Sequence, residues 1–330
     1  MNERLVNNAR RAGCAINEAT SFVLTTHLNH DADGIGSMLA LYHVLIGLNK
    51  KVRMVLNEPF SENLTFLEGY EAIENCAGQS ISCDLLIVLD IDCADLNRRG
   101  TKGSRIDYRQ LFCIDHHASN RCASILCLVD TTVAATGELL YDLLGLASIN
   151  INKIVADCLF VAISTDCGSF RYSNTTSKTM RIAAALIDKG VRPEISNEAI
   201  ESKSFANTIA LSKILSSLEI FEEHIVVLTI NNELLVSLDD DSDNYVDYAR
   251  KVTGCNAAVL FKEVKPRLIK LSLRLKYSNA AKFSERYGGG GHARAAGFSI
   301  TGDLYEIKAK IIEELKDYLR QTDRQLKKKC

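Results

Sequence analysis

Nowhere in these 330 residues is there an apolar run of about 18, so the chain predicts no membrane-spanning helix. The N-terminal MNERLVNNARR has charges with no apolar segment behind them, which predicts no secretory signal and a cytoplasmic location. Surplus charge is missing too. With 39 basic against 41 acidic residues the net charge is −2, which gives no general attraction to long nucleic acid or to an anionic membrane. Any phosphate-binding site must therefore be local. Cysteines number eleven, but the count is odd and no CxxC pair occurs, which argues against a disulfide framework and a thiolate zinc site. Most lie in apolar runs such as LLIVLDIDCADL and LFCIDHH, where a free thiol behaves as a small buried hydrophobe in a reducing compartment. No internal repeat is apparent.

The remaining composition, 47% apolar and 24% charged, is that of an ordinary globular protein, long enough for two domains. Before about residue 190, short apolar runs alternate with helical patterns: FVLTT (22–26), GIGSMLALYHVLIGLNK (34–50), KVRMVL (51–56), DLLIVLD (84–90) and QLFCID (110–115). The alternation predicts an α/β fold with a mainly parallel sheet and helices on both faces. TVAATGELLYDLLG and NKIVADCLFVAIST read as helices, as does TTSKTMRIAAALIDKG with its Ser/Thr-rich start and Gly stop. Residues 1–191 are thus expected to form the larger domain, and 192–223, with the chain's second proline, a helical linker. Residues 224–330 are expected to form a smaller α/β domain, with strands at HIVVLTI, AAVLFKEV and RLIKLSLRLKY and helices at YVDYARKVTG and LYEIKAKIIEELKDYLRQ.

In an open parallel sheet, ligands bind beyond the carboxyl ends of the strands, and there this chain concentrates its ionisable residues. FVLTT runs into His27, Asp31 and Asp33, DLLIVL into Asp90 and Asp92, and QLFCI into Asp115, His116 and His117, while LFVAIST ends at Asp166. Taken singly, each has a bland explanation. An Asp after a strand is commonly a helix cap, Asp33 ahead of GIGSMLALYHVL included, and adjacent histidines can be a hydrogen-bonded turn. Four hydrophobic elements ending alike are poorly explained that way. Converging carboxylates repel and acquire raised pKa values unless cations neutralise them. Carboxylate and imidazole without thiolate suit Mn²⁺, Fe²⁺, Co²⁺ or Mg²⁺, so the pattern predicts a two-metal hydrolytic site with a metal-activated hydroxide.

Two further stretches carry expectations. DDDSDNYVDYAR (239–250) begins like a calcium loop, but Asn244 stands where glycine is required and Arg250 where a bidentate Glu belongs, so it is assigned no site. In GGGGHARAAG (288–297), four glycines before Ala293, Arg294, Ala295 and Ala296 predict a helix start whose bare amides bind an anion.

HxxxDxD at His27, Asp31 and Asp33, the strand-closing Asp90, the DHH triplet at 115–117 and AISTDCGSF around Asp166 resemble the four motifs of the DHH phosphoesterase superfamily. The GGGGH run resembles the signature of the smaller domain in its RecJ-like branch. The resemblance implies a pair of divalent ions, usually Mn²⁺, one held by His27, Asp31 and Asp90 and the other by Asp33, Asp90, His116 and Asp166. It implies that His117 faces the substrate phosphate or protonates the leaving group, and that Asp115 orients a histidine ring. Arg274, Gly289, Gly290, Gly291 and His292 would contact the substrate, with the active site in the cleft between the domains. Cys167, where a small hydroxyl residue is usual, and Leu275 after Arg274 depart from the pattern.

Within the superfamily, the modest length and the lack of a basic stripe disfavour enzymes of long duplexes, and the lack of membrane segments disfavours anchored cyclic-dinucleotide enzymes. The resemblance is to the compact stand-alone oligoribonuclease type. It implies hydrolysis of short oligonucleotides to 5′-mononucleotides and of 3′-phosphoadenosine 5′-phosphate (pAp) to AMP. The alternative is soluble hydrolysis of cyclic di-AMP and its linear dinucleotide; the non-enzymatic alternative is a metal-bound nucleotide sensor. A homodimer through the apolar helices of the larger domain is implied by the resemblance alone.

Overall fold

The computed structural model describes residues 3–28, 30–57, 62–96, 101, 103–118, 120–121, 126–202, 204–236, 245–291 and 293–327. The chain divides into two units between Ser202 and Lys203, inside the stretch expected as a linker. Among the described residues no helix is long and apolar enough to cross a membrane.

The first unit runs α1 (Glu3–Glu18), β1 (Ser21–Thr25), α2 (Ala32–Gly47), β2 (Lys51–Leu56), β3 (Ile73–Asn75), β4 (Ser80–Leu89), β5 (Arg105–Asp115), β6 (Leu126–Val129), α3 (Thr136–Leu146), α4 (Lys153–Asp166), α5 (Ser177–Ile187) and α6 (Pro193–Glu201). Its strands form one sheet in the order β3-β2-β1-β4-β5-β6, with every neighbouring pair parallel. The chain leaves β1 toward β2 on one side and returns to β4 on the other. The carboxyl ends of β1 and β4 therefore flank the switch point where such sheets bind ligands.

Alternate strand residues point to opposite faces. Phe22, Leu24, Leu85, Ile87, Phe112 and Ile114 share one core with Ala12, Met38, Leu140, Leu159 and Ile182 from the helices. Val23, Val55, Leu86, Val88 and Cys113 face the other way, into a smaller cluster with Ile91 and Leu96. Helices on both faces are the sequence expectation; among the described residues, the helices contribute to the larger core alone. Both faces of the strands are buried, so the apolar runs carry no alternation to tell the faces apart. Cys76, Cys83, Cys113, Cys158, Cys167 and Cys255 are buried, as expected of small hydrophobes.

Asp166 is delivered by the last turn of helix α4, the helix expected from NKIVADCLFVAIST. Asn152 caps that helix by accepting from the Val155 amide, and its buried residues lie nearly all round, as in a helix packed on most sides. α2 and α4 approach closely at Gly36, where a Cβ would lie 2.6 Å from the Cys158 carbonyl oxygen and 3.1 Å from Ala162 Cβ. Since Asp33 sits on α2 and Asp166 ends α4, this contact sets their spacing. Gly36→Ala is expected to cost on the order of 1–3 kcal/mol in urea unfolding, the usual range for overpacking. An unchanged unfolding midpoint would show that the approach is not tight.

The second unit runs α7 (Phe205–Ser216), β7 (Glu219–Phe221), β8 (Ile225–Ile230), α8 (Asn232–Val236), α9 (Val246–Arg250), β9 (Ala257–Lys265), β10 (Leu268–Leu275), α10 (Ala280–Ser284), β11 (Gly290–Gly291), β12 (Ala295–Thr301) and α11 (Leu304–Lys327). Its sheet order is β11-β12-β10-β9-β8-β7, parallel only between β8 and β9. Of the acidic stretch read as a failed calcium loop, 239–244 lie outside the described residues and the rest leads into α9.

The helix start expected after the four glycines is instead an antiparallel strand pair, with Gly290 opposite Gly297 and Gly291 opposite Ala296. A Cβ on Gly289 would lie 2.2 Å from the Gly297 carbonyl oxygen, and Gly291 has φ 138°, so glycine is needed for close backbone approach within a sheet. Pairing of β12 with β10 overrides the helical preference of the alanines.

Candidate metal centre

Beyond β1 the chain passes His27 and enters α2, whose cap is Asp31: its Oδ1 accepts from the amides of Asp33 at 3.1 Å and Gly34 at 3.0 Å. Asp33, read above as a candidate cap, lies inside the first turn and reaches across to the start of α3. Its Oδ2 accepts from the Thr136 amide at 2.7 Å, and its Oδ1 from the Gly137 amide at 3.0 Å and Ser37 Oγ at 3.2 Å. Asp90 follows β4 with φ 60°, a left-handed conformation that Asp tolerates better than most residues. Its Oδ1 accepts from Thr136 Oγ1 at 3.0 Å, whereas its buried Oδ2 accepts no hydrogen bond from the described residues. Asp92 has the bland role, accepting from the amides of Ala94 and Arg121.

β5 delivers the DHH triplet. The buried Asp115 accepts at Oδ1 from the His116 amide (2.7 Å), the His117 amide (3.1 Å) and His117 Nδ1 (2.8 Å), and at Oδ2 from Asn120 Nδ2 (2.6 Å). The ring that Asp115 orients is thus that of His117. His116 Nε2 stands 3.5 Å from Asp90 Oδ1, 3.5 Å from Asp166 Oδ2 and 3.8 Å from Asp33 Oδ2. His27 Nε2 lies 3.4 Å from Asp90 Oδ2 and 3.7 Å from Asp31 Oδ1, while its Nδ1 donates to the Leu28 carbonyl at 2.7 Å. A carbonyl only accepts, so Nδ1 carries a proton and Nε2 is the nitrogen turned to the carboxylates.

Potential ligand atoms of His27, Asp31 and Asp90 lie within 4.8 Å of one another, as do those of Asp33, His116 and Asp166, and those of Asp90, His116 and His117. Asp90 and His116 link the groups. His117 enters the last of them, although its Nδ1 is engaged by Asp115.

Bare, this cluster is electrostatically uncomfortable. Burial, with the charges of Asp90 and Asp166, pushes the Asp33 carboxyl well above the carboxylate range. Burial, with Asp31 and Asp90, raises Asp166 to about 7, and burial with Asp31 raises Asp90. Burial opposes charge on His27, yet its contacts with Asp31 and Asp90 outweigh this and lift it to about 11. On His117 burial is likewise outweighed, chiefly by Asp115, and the ring rises to about 9. Burial lowers His116. The pull toward protons, the orphaned Asp90 Oδ2 and a donor set of imidazole and carboxylate all fit divalent cations that prefer oxygen and nitrogen.

A group whose folded pKa is raised loses stabilising protonation as pH climbs through its window. For the metal-free protein those windows run from 3.8 to about 7 for Asp166, from 6.5 to about 9 for His117 and from 6.5 to about 11 for His27. Asp115 and His116 are shifted downward, so their opposite contributions lie below pH 3.8 and 6.5. In chelator, the melting temperature is therefore expected to fall between about pH 6.5 and 9, and saturating Mn²⁺ should flatten the slope by replacing protons. A melting temperature rising with pH in chelator would contradict this electrostatic account.

Thr136, Gly137 and Asn120 hold these ionisable groups in place, yet sequence reasoning passed over them. The one available signal is the Thr-Gly pair opening a helix in VAATGELL. A Cβ on Gly137 would sit 2.8 Å from Ala162 Cβ, so glycine lets the α3 amides reach Asp33. Beside the last acid, Cys167 is buried, donates to the Ile163 carbonyl and has its thiol pKa raised by burial, the inert state.

In the second unit, Arg274 of β10 lies opposite Ala295 of β12, whose next residue, Ala296, pairs with Gly291. Arg274 Nε is 3.7 Å from Asp247 Oδ1. His292 lies outside the described residues.

Residues 21–163 match the DHH family, N-terminal domain, and residues 231–321 match the DHHA1 domain. The chain is similar to the bifunctional oligoribonuclease and PAP phosphatase NrnA of Thermus thermophilus, 28% identical over 298 residues that cover 90% of this chain and 89% of the relative. It is similar also to NrnA of Bacillus subtilis, 25% identical over 291 residues, covering 85% and 89%. Among solved structures, an exopolyphosphatase-related protein from Bacteroides fragilis superposes with a TM-score of 0.85 at 20% identity, covering 96% of this chain and 98% of that one. RecJ from Thermus thermophilus in complex with Mn²⁺ superposes with a TM-score of 0.51 at 15% identity, covering 97% and 55%. These two structural likenesses speak for the fold.

Proposed function

We propose that this chain, whose residues 21–163 carry the DHH family's N-terminal domain and whose residues 231–321 carry a DHHA1 domain, is a phosphoric ester hydrolase that cleaves short oligonucleotides to 5′-mononucleotides and converts pAp to AMP. The observation that carries the reading is the convergence of His27, Asp31, Asp33, His116 and Asp166 around Asp90, at the switch point of the parallel sheet. His27, Asp31 and Asp90 would hold one divalent ion, and Asp33, Asp90, His116 and Asp166 a second. Mn²⁺ suits this donor set and is the ion of the RecJ structure. When bound, such a pair supplies a nucleophile from water near neutral pH and offsets the charge of a phosphate.

The protein's own residues do the rest. Asp115, held by two amides and Asn120, keeps a proton on His117 Nδ1 and fixes the ring, so that Nε2 can donate to a phosphate oxygen or to the leaving oxygen. Arg274 and the backbone at Gly289, Gly290 and Gly291, with His292, would take the substrate's terminal phosphate through charge-assisted hydrogen bonds. A grip on one phosphate and a single cleavage centre suit substrates of a few nucleotides.

The test compares turnover of pAp, a linear dinucleotide, a short RNA oligonucleotide and cyclic di-AMP in the presence of Mn²⁺. AMP from pAp and 5′-mononucleotides from the RNA are expected. Consumption of the cyclic dinucleotide alone would overturn the oligoribonuclease reading, and binding without turnover of any substrate would make the protein a sensor.

A further inference from the structure

Asp90 has a partner outside every motif noted above. Thr136 is buried at the first position of α3, its Oγ1 donating to Asp90 Oδ1 at 3.0 Å and its amide to Asp33 Oδ2 at 2.7 Å. The two oxygens of Asp90 are thereby made unlike. Oδ1 faces Thr136, with His116 Nε2 and His117 Nδ1 each 3.5 Å away. Oδ2 accepts no hydrogen bond from the described residues and looks toward His27 Nε2 at 3.4 Å.

We propose that Thr136 is a positioning residue for the metal centre: its hydroxyl fixes the rotation of the Asp90 carboxylate, so that one oxygen serves the His116 side and the other the His27 side. The inference rests on the two-ion reading of the site. A neutral hydroxyl is the donor this position needs, because it satisfies one oxygen without adding a positive charge that would repel a cation. Thr136 is itself held firmly. Two residues on, Glu138 Oε2 accepts from the Ala134 amide at 2.7 Å and from Thr179 Oγ1 at 3.3 Å, tying the start of α3 to α5. The same helix start thus places two carboxylates, Asp90 through a side chain and Asp33 through its backbone.

The experiment is calorimetric titration of Mn²⁺ into the wild type, Thr136→Val, Thr136→Ala and Thr136→Ser, with melting curves in chelator alongside. Valine keeps the shape and removes the donor; alanine removes it without bulk; serine retains it. Mn²⁺ affinity is expected to fall about 10- to 100-fold in the Val and Ala variants, the range for losing a hydrogen bond to a metal-binding side chain, and to stay near wild type in Ser. A wild type that binds no Mn²⁺ would sink the two-ion reading and this inference with it. A wild type that binds, with Val and Ala variants binding equally tightly, would sink the inference alone, whatever their melting temperatures. Serine losing as much affinity as valine would also overturn it, because the hydroxyl would not be the cause.

Discussion

Replacing Asp90 with Asn is expected to remove hydrolysis of every substrate while raising the melting temperature of the metal-free protein. The change is nearly isosteric, Asn tolerates the left-handed backbone at φ 60°, and its amide oxygen can still accept from Thr136. What disappears is one buried negative charge. That charge helps push the neighbouring carboxyls of Asp33 and Asp166 upward, and the Asp90 carboxyl is itself raised by burial and Asp31. Without metal the cluster therefore relaxes. With metal, the carboxylate proposed to serve both ligand sets is gone, so activity should fall by more than the roughly 100-fold typical of losing a ligand's hydrogen-bond partner. Steady-state assays and melting curves in chelator read the two effects separately. Activity retained within about tenfold of wild type would refute the role given to Asp90.

His117→Ala is expected to behave differently, lowering kcat by about 10²- to 10⁴-fold, the usual contribution of a positioned proton donor, while Mn²⁺ affinity holds. The reason is geometric: Nδ1 of this ring is engaged by Asp115 at 2.8 Å, so the ring is oriented by a carboxylate. The ring nevertheless lies close enough to Asp90 and His116 to be grouped with them as a potential ligand. Calorimetry decides between the two. Loss of Mn²⁺ binding in His117→Ala would make His117 a ligand and leave the proton donor unidentified.

The strands ending at Thr25, Leu89 and Asp115 were legible in the sequence because each ends in a short apolar run closed abruptly by ionisable residues, although β4 and β5 begin earlier, in more polar stretches. The last acid was legible both as a residue and as the end of an apolar helix, although α4 is buried on most sides and shows no one-sided stripe. The glycine run misled for another reason. Alanines after glycine favour a helix locally, and only the pairing of β12 with β10, residues far apart in the chain, makes them a strand. Thr136 and Asn120 left little trace because they act through hydrogen bonds alone, those of Thr136 spanning 46 and 103 residues of sequence, and carry no ionisable group.

Crystals grown with Mn²⁺ would locate the two cations proposed around Asp90 through anomalous scattering at the manganese edge. Two peaks about 3.5–4 Å apart are expected, as in two-metal hydrolytic sites, one bounded by His27, Asp31 and Asp90 and the other by Asp33, Asp90, His116 and Asp166. No peak within this cluster, or manganese bound only elsewhere on the chain, would contradict that placement.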